Sequence, residues 1–455
     1  MTREGNRKPE ILDTRLVAKS RLFGIEEMHL RFSNGVERTY ERLRTPPIAG
    51  VMCVPMLDRD TVVLIREYGA GVDEYQITLP KGAYEHGEDW RDAANRELKE
   101  EAGYGARKLT LLKRMTLSPG YMGHHITVAL AEDLYEERLP GDEPEPLEVI
   151  PWKLSRLDEL LQREDMTEAR VIAALLMTQR LMDRSMNDLN ALLGPVSAIA
   201  VDAGAAILEI YNRGDVDVDH KDDNSPITEA DRAAHNLIEA RLQALTPEIP
   251  VFSEESGGIA YEDRKDWPRF WLVDPLDGTK EFIKRNGEFT VNIALVEDGV
   301  PVLGVVHVPV TAITYSGGRG LGAFKEEGGQ RSPIRCRERH APIVMVASRR
   351  HGAEQVAALE RLIEGQLGPV EKTSMGSSLK LCLVAEGAAD IYPRLAPTCE
   401  WDTAAAHAVV NAAGGVVVNT HFEPLAYNKP DVLNPHFLVL GQSAEDWRFI
   451  EPALA

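Results

Sequence analysis

The chain has 455 residues, 44% of them hydrophobic and 27% charged, more than one small core needs, so two or more globular domains are expected. Its 51 basic residues against 72 acidic ones give a net charge of −21, the wrong sign for gripping a nucleic-acid backbone or an anionic membrane. No consecutive apolar run approaches the roughly 20 residues that span a bilayer, the charged N-terminus lacks a signal-peptide core, and Cys53, Cys336, Cys382 and Cys399 are scattered without a CxxC pair, as expected for reduced thiols in a cytoplasmic protein.

Up to about residue 135 the chain alternates short strand-like runs with turn signals. Asn34-Gly35 inside LRFSNGVERTY is a hairpin signal, and VMCVPML and TVVLIREY flank Asp58-Arg59-Asp60 in the same way. A polar helical stretch (Glu88 to Ala102), the run HHITVALA, a Pro/acidic segment (LPGDEPEPLEVIPW) and an amphipathic helix from about Glu168 to Met182 follow. The polar segment DRSMNDLN, 183–190, lies between two helical patterns and is the natural boundary, dividing the chain into residues 1–185 and 186–455. Beyond it, helical patterns at Leu189 to Tyr211 and Thr228 to Leu245 precede strand-like FWLVDP, TVNIALV, LGVVHV and IVMVAS, with VEKTSMGSSLKLCLVAEG and WDTAAAHAVVNAAGG as later helices, a layered α/β pattern. Residues 1–186 hold 27 basic and 33 acidic side chains and the remainder 24 and 39, so neither part is a basic nucleic-acid module.

The first chemical constellation is GAYEHGEDWRDAANRELKEEAGY, residues 82–104. Helical spacing puts Glu97, Glu100 and Glu101 on one side with Cβ atoms within about 6 Å. Carboxylates that close repel unless neutralised, and a hard divalent cation that also bridges substrate phosphates is the natural solution. Gly82 allows close backbone approach, with its carbonyl available to a metal shell. A solvated ELKEE patch is the plain alternative for three glutamates alone. It leaves Gly82, Glu88, Arg96 and Gly103 unexplained at their spacing.

Together these residues reproduce the Nudix box, G-x5-E-x7-R-E-U-x-E-E-x-G-U, with Tyr104 in the last apolar slot. The resemblance implies hydrolysis of a nucleoside diphosphate linked to another moiety by attack of metal-activated water on phosphorus. It implies Glu97 and Glu101 as metal ligands, with Glu100 supporting, Arg96 orienting the glutamates and Glu88 bracing the loop. TRLVAKSRLF, FSNGVERTYER, LIREYGAG and EDLYEERLPGDEPEPL extend it to the NudE-type ADP-compound hydrolases, over roughly residues 10–184. Those act on ADP-ribose, diadenosine oligophosphates or NADH and release AMP. The branch also implies a homodimer through the N-terminal strands. Its general base would be a later-loop acid, for which Glu132, Asp133, Glu143 and Glu145 are the candidates.

The second constellation joins Glu254-Glu255 of FSEES, Asp274 and Asp277 of WLVDPLDGTKEF, and Asp402 of EWDTAAAHAVV. An apolar run ending in Asp-Pro-Leu-Asp-Gly-Thr sets Asp274 at a strand end and Asp277 in a tight turn. Pro275 cannot donate to a ladder, which leaves the Leu276 carbonyl free. Asp277-Gly278-Thr279 opens a helix whose free N–H groups suit a phosphate. Acids beside a phosphate cradle call for divalent cations between them. Taken singly each element reads as a cap or a turn.

In combination they resemble the lithium-sensitive Mg²⁺-dependent phosphatase superfamily, with E-E, D-P-h-D-G-T (h apolar) and W-D in order. KDDNSPITEADRAAHNLI, GTKEFIKRNGEFTVNIAL, GSSLKLCLVAEG and YPRLAPT bring the resemblance to the CysQ-type 3'(2'),5'-bisphosphate nucleotidases, over about residues 189–440. It implies Glu254, Asp274, Leu276 through its carbonyl, Asp277 and Asp402 as Mg²⁺ ligands. It implies Gly278 and Thr279 on the scissile phosphate, and Asp231 with Thr279 polarising water. Lys221 would hold a metal-bound phosphate or counter the acidic cluster, and Gly376, Ser377, Ser378, Lys380 and Arg394 would take the nucleotide's other phosphate and ribose. Glu400 departs from the family pattern and adds negative charge two residues from Asp402; His407 reads as a packed or capping residue.

The expected molecule is a bifunctional hydrolase. An α/β/α Nudix sandwich releases AMP from ADP compounds, and an αβαβα sugar-phosphatase fold removes the 3'-phosphate of 3'-phosphoadenosine 5'-phosphate, a by-product of sulfate assimilation. Mg²⁺ serves both domains with Mn²⁺ as substitute, lithium inhibits the second, and the ligands are small adenine nucleotides rather than nucleic acid or an integral membrane. The alternatives are inositol or sugar phosphates as substrates of the second domain, or one domain acting as a nucleotide-binding regulator of the other.

Overall fold

The computed structural model describes residues 7–21, 23–44, 50–85, 87–141, 143–213, 218–220, 226–256, 258–346 and 353–454. The chain divides into two compact units, residues 1–184 and 185–455.

The first unit contains β1 (Glu10–Lys19), β2 (Gly24–Arg31), β3 (Glu37–Leu43), β4 (Gly50–Pro55), β5 (Thr61–Gly69), β6 (Glu74–Thr78), β7 (Lys81–Ala83), α1 (Trp90–Glu101), β8 (Tyr104–Thr116), β9 (His125–Glu136), β10 (Glu148–Lys153) and α2 (Leu157–Leu161). β1–β3 form a separate antiparallel meander, and its β2–β3 turn carries Gly35 at φ +80°. The remaining strands form two sheets, β7-β4-β9-β8 and β10-β5-β6. β4 and β5 are therefore not the hairpin expected from their turn. Asp58 does build that turn, accepting from the Asp60 and Thr61 amides at 2.7 and 2.8 Å, but only the Met56–Val62 bridge pairs the flanking segments. Both strands are buried on two faces, so each alternates between two cores. Val51, Cys53, Val63 and Ile65 pack on Ala93, Ala94 and Leu98 of α1, while Met52, Val54, Val62 and Leu64 pack on Leu157, Leu160, Val171 and Leu175. The result is the α/β/α sandwich.

α3 runs without interruption from Ala169 to Arg213, 45 residues. Segment 183–190, expected to separate two helices, is helical throughout. This helix is long and apolar enough by length and composition to cross a membrane, although no uninterrupted apolar run of about 20 residues marks it in the sequence. Its apolar residues instead serve two cores: Val171, Ala174 and Leu175 in the first unit, and Leu189, Leu193, Val196, Ala200, Ala203 and Ile207 in the second.

The second unit continues with β11 (Val218–His220), β12 (Pro226–Thr228), α4 (Glu229–Leu245), β13 (Val251–Ser253), α5 (Tyr261–Arg264), β14 (Arg269–Asp277), α6 (Thr279–Lys284), β15 (Thr290–Glu297), β16 (Val300–Val308), β17 (Ile313–Gly318), β18 (Gly322–Glu327) and β19 (Gln330–Ile334). It ends with β20 (Ile343–Val346), α7 (Ala353–Leu367), β21 (Val370–Thr373), α8 (Leu379–Ala385), β22 (Ile391–Arg394), α9 (Glu400–Ala412), β23 (Val416–Asn419) and β24 (Phe437–Leu440). VEKTSMGSSLKLCLVAEG thus splits into a strand, a loop and a short helix. β13 to β19 make a seven-stranded sheet in sequence order, and β21-β20-β22-β24-β23 a five-stranded one. Alternation along β14 sends Trp271 and Val273 to the α3/α4 side and Phe270 and Leu272 to the α8/α9 side. Ile343, Met345, Leu438 and Leu440 bury the far face of the second sheet with Leu359 and Ile363 of α7. These layers stack as αβαβα.

α9 lies directly on the seven-stranded sheet because β16 offers it a glycine. A Cβ on Gly304 would stand 2.0 Å from the Ala405 carbonyl oxygen. Gly304→Ala is expected to push α9 off the sheet and to destabilise the second unit by about 1–3 kcal/mol, the usual cost of overpacking; denaturant unfolding followed at the second transition checks it.

Candidate active sites

In the first unit α1 starts at Asp89, whose Oδ1 accepts from the Arg91 amide at 2.9 Å. The face that buries Ala93, Ala94 and Leu98 also carries Glu97 and Glu101, only 8% and 7% exposed. Gly82 of β7 lies against this face, and a Cβ there would stand 2.1 Å from the Glu97 carboxylate, so a larger residue would displace that side chain.

Arg96 binds the cluster from the side. Its Nε and Nη2 reach Glu88 at 3.0 and 3.1 Å, its Nη1 reaches Glu97 at 2.8 Å and Glu100 at 3.1 Å, and Nη2 also donates to the Ala83 carbonyl at 2.9 Å. Glu88 closes the loop by accepting from the Glu85 amide at 2.8 Å. Beside the divalent cation expected from sequence, the protein thus supplies a guanidinium of its own for Glu88, Glu97 and Glu100.

Glu101 is held differently. Its Oε2 accepts from the Lys81 amide at 2.9 Å. Burial pushes its carboxyl up to about 8, with the Glu97 and Glu67 charges adding to the rise and Lys81 opposing it. Glu67 pairs with the Lys81 ammonium. Neither Glu67 nor Lys81 was singled out from sequence. The signal was present in β5, where Val63 and Ile65 face α1 and the two-residue period carries Glu67 to the same side.

The later-loop acids are spread apart. β9 pairs Thr127 with Val51, which in turn pairs with Gly82, whereas Ala131 pairs with Pro55. Glu132 and Asp133 therefore lie roughly 13 Å or more further along the strand, at ~3.3 Å per residue. They pair with Lys108 and Arg107 at 3.4 and 3.1 Å. Glu145 accepts from the Tyr75 hydroxyl.

In the second unit β14 delivers both aspartates. Asp274 stands opposite Asn292 of β15 and Asp277 opposite Thr290, with a register shift between them at Pro275-Leu276. Asp277 thus belongs to the strand rather than to a turn beyond it. Carboxylate oxygens of Glu254, Asp274 and Asp402 lie within 4.8 Å of one another, the one such three-ligand group among the described residues. Asp274 is buried, and burial with the charges of Glu254, Asp277, Asp402 and Asp231 pushes its carboxyl well up. Burial and the Asp277 charge raise Asp402 to about 8, against the pull of the Cys399 amide, which donates to its Oδ2 at 2.8 Å. A close set of hard oxygens fits a divalent ion such as Mg²⁺.

Asp277 is raised by burial, while Lys380, the Ser378 amide and Asn292 act the other way. The Leu276 carbonyl accepts from the Thr279 hydroxyl at 3.4 Å. Gly278 adopts φ +94° before the six-residue α6. Asp231 is 3% exposed, in the first turn of α4. Lys221 lies outside the described residues.

Beside Asp277 and Asp402 opens a cleft of about 380 Å³ lined by Gly278, Gly376, Ser377, Ser378, Lys380 and Arg394. Lys380 is lowered by burial, partly offset by Asp277, and donates to the Ser377 carbonyl at 3.0 Å. Ser377 Oγ and Arg394 Nε are buried and have no hydrogen-bond partner, as expected of groups that wait for an anionic ligand. Ser378, expected on the substrate, is 2% exposed with its hydroxyl turned into the protein.

Glu400 does not add charge to the metal group. It is fully buried and receives the Lys429 ammonium at 2.6 Å and the Asn428 and Lys429 amides at 2.8 and 2.9 Å. His407 is buried against the Tyr427 hydroxyl at 2.8 Å. All four cysteines are unpaired.

Comparison with known proteins assigns the two units. The model of the inositol monophosphatase family matches residues 188–451, that of the NudE-type Nudix hydrolase N-terminal domain residues 9–42, and that of the NUDIX domain residues 46–175. The chain belongs to the inositol monophosphatase family. It is a fusion in which a NudE-type Nudix hydrolase domain precedes a CysQ-type domain of that family, and both are hydrolase domains. The 3'(2'),5'-bisphosphate nucleotidase CysQ of Escherichia coli O157:H7 is 51% identical over 250 residues, which are 54% of this chain and 99% of that protein. The crystal structure of CysQ from Bacteroides thetaiotaomicron is 45% identical with a TM-score of 0.50, over 55% of this chain and 97% of that one. A crystal structure of an ADP compounds hydrolase is 45% identical with a TM-score of 0.38, over 39% of this chain and 96% of that one.

Because Glu101 is raised from 4.5 to about 8, its contribution to folding without metal is present below about pH 4.5 and is lost as pH rises towards 8. A bound cation needs the ionised form and reverses that sign. Mn²⁺ affinity of the first unit is expected to rise about tenfold or more from pH 6 to pH 8, with a flatter dependence in Glu101→Gln, as measured by calorimetric titration.

Proposed function

We propose that the first domain cleaves the pyrophosphate of ADP compounds (ADP-ribose, diadenosine oligophosphates or NADH) to release AMP, and that the second removes the 3'-phosphate of 3'-phosphoadenosine 5'-phosphate to give AMP and phosphate. The observation that carries the second reading is the cleft itself. A three-carboxylate group opens beside a cleft lined by Lys380 and Arg394, in which Ser377 Oγ and Arg394 Nε are buried without a hydrogen-bond partner, which suits a ligand bearing a second anionic group besides the scissile phosphate. An inositol or sugar monophosphate brings no second anionic group to those cations. The intact acidic residues of both units speak against a purely regulatory domain.

In the first domain Glu97 and Glu101 would hold Mg²⁺, with the Gly82 carbonyl beside them. Arg96 keeps Glu97 oriented through its shared hold on Glu88 and Glu100. Glu67, next to Glu101 and paired to Lys81, is better placed than Glu132 or Asp133 to accept a proton from water. In the second domain Glu254, Asp274, the Leu276 carbonyl, Asp277 and Asp402 would hold Mg²⁺. The ions, when bound, lower the pKa of coordinated water and neutralise phosphoryl oxygens. Asp231 with the Thr279 hydroxyl takes the proton from the attacking water, Gly278 and Thr279 contact the scissile phosphate, and Lys380, Arg394 and Ser377 hold the other phosphate and the ribose. Mn²⁺ substitutes, and lithium inhibits only the second activity. Lys221 retains its proposed role towards the metal-bound phosphate.

The two sites are expected to fail independently. Glu101→Gln lowers ADP-ribose hydrolysis by about 100-fold or more and Asp274→Asn lowers release of phosphate from 3'-phosphoadenosine 5'-phosphate similarly, each leaving the other rate unchanged. Loss of both rates in either variant refutes two separate sites.

We further propose a homodimer through β1–β3. Ile11, Leu16, Val17 and Tyr40 are 52%, 45%, 47% and 44% exposed, and no side chain of this sheet joins a core cluster among the described residues. A three-stranded sheet with uncovered faces needs a partner layer. Sedimentation is expected to give about twice the 50.4 kDa chain mass and to return a monomer for the double variant Ile11→Glu, Leu16→Glu.

A further inference from the structure

Beneath the cleft lies a closed polar triangle that the reaction above does not use. Thr290 of β15 stands directly opposite Asp277 in the ladder, and both touch Ser378, the residue before α8. Thr290, Asn292 and Ser378 are 0%, 1% and 2% exposed, so water cannot replace any bond among them.

A serine hydroxyl has one proton. Ser378 donates it to the amide oxygen of Asn292 at 2.9 Å, so the Thr290 hydroxyl at 2.8 Å must be the donor to Ser378 Oγ. With one bond given and one received, the Ser378 side chain has a single orientation. Its backbone amide then meets Asp277 Oδ2 at 2.6 Å. That bond, together with the Asn292 side chain acting on the same carboxylate, limits its rotation. Ser378 also anchors the loop that lines the cleft, where Ser377 sits at φ +42°, a conformation that costs a non-glycine residue and is kept only by surrounding bonds.

We propose that Thr290 is a positioning residue for the metal ligand Asp277, acting through the Ser378 hydroxyl and amide. The inference rests on the reading of Asp277 as a ligand in the second domain. Thr290 touches neither metal nor substrate. It determines the direction from which Asp277 presents its free oxygen, in the way that outer hydrogen bonds orient ligating carboxylates elsewhere. Thr290→Val keeps the shape and removes the donor, whereas Thr290→Ser keeps the donor.

The test is calorimetric titration of Mn²⁺ into the full-length, chelator-stripped protein, with the second-domain phase defined as the binding that Asp274→Asn removes. Thr290→Val is expected to weaken that phase about tenfold and leave the first-domain phase unchanged, with Thr290→Ser within about twofold of the parent. Thr290→Cys, whose thiol is a poor donor, gives the same readout if the valine variant does not fold. A lowered melting temperature with unchanged Mn²⁺ affinity overturns the proposal, because Thr290 then only fills the core. Absence of any Asp274-dependent phase in the parent overturns the metal reading itself, and the proposal with it.

Discussion

Repulsion between buried carboxylates is the constraint on which both halves of this protein are built. At an effective dielectric near 20, two unit charges about 4 Å apart repel by roughly 4 kcal/mol. Asp274 faces four such neighbours with almost no access to water. A fold that gathers them needs rigid supports: the paired β14 and β15, the first turn of α9 carrying Asp402, and the backbone amides of Ser378 and Cys399.

The two units answer that constraint in different ways. In the Nudix domain Arg96 acts as a resident counter-charge spanning Glu88, Glu97 and Glu100, so part of the cluster is neutral before any ion arrives. Glu101 escapes that neutralisation and takes up a proton instead. In the second domain Lys380 and Arg394 line the cleft that adjoins the three-carboxylate group. Lys429 is spent on Glu400, which keeps that extra acid from disturbing Asp402. Placing acids and bases in adjacent compartments suits the proposed division between cations and a nucleotide's remaining charge.

Close approach does the rest. Gly82 yields its side-chain volume to the Glu97 carboxylate, and Gly304 yields its own to the backbone of α9. Gly304 thus lets α9 sit nearer to its sheet than a side chain permits, and Gly82 leaves the Glu97 carboxylate its place. The long helix α3 contributes its two ends to two separate cores, which is why a polar stretch in its middle reads as a break although the backbone continues through it.

The sequence by itself was enough to establish the two families and the layer order, because both rest on local patterns. The Nudix box places its acids within one helix and one preceding loop, the E-E, D-P-L-D-G-T and W-D motifs follow in order, and the layers come with the two resemblances. It also pointed to Glu254, Asp274 and Asp402, since motif order survives folding. What it left undetermined depends on pairing between distant segments. β4 and β5 enter different sheets, Glu67 comes beside Glu101, Ser378 turns away from the cleft to Thr290 and Asn292, and Lys429 neutralises Glu400. Each of these contacts joins residues far apart in the chain; periodicity gives the face on which Glu67 lies but not its neighbour on that face, so only the tertiary structure could decide them.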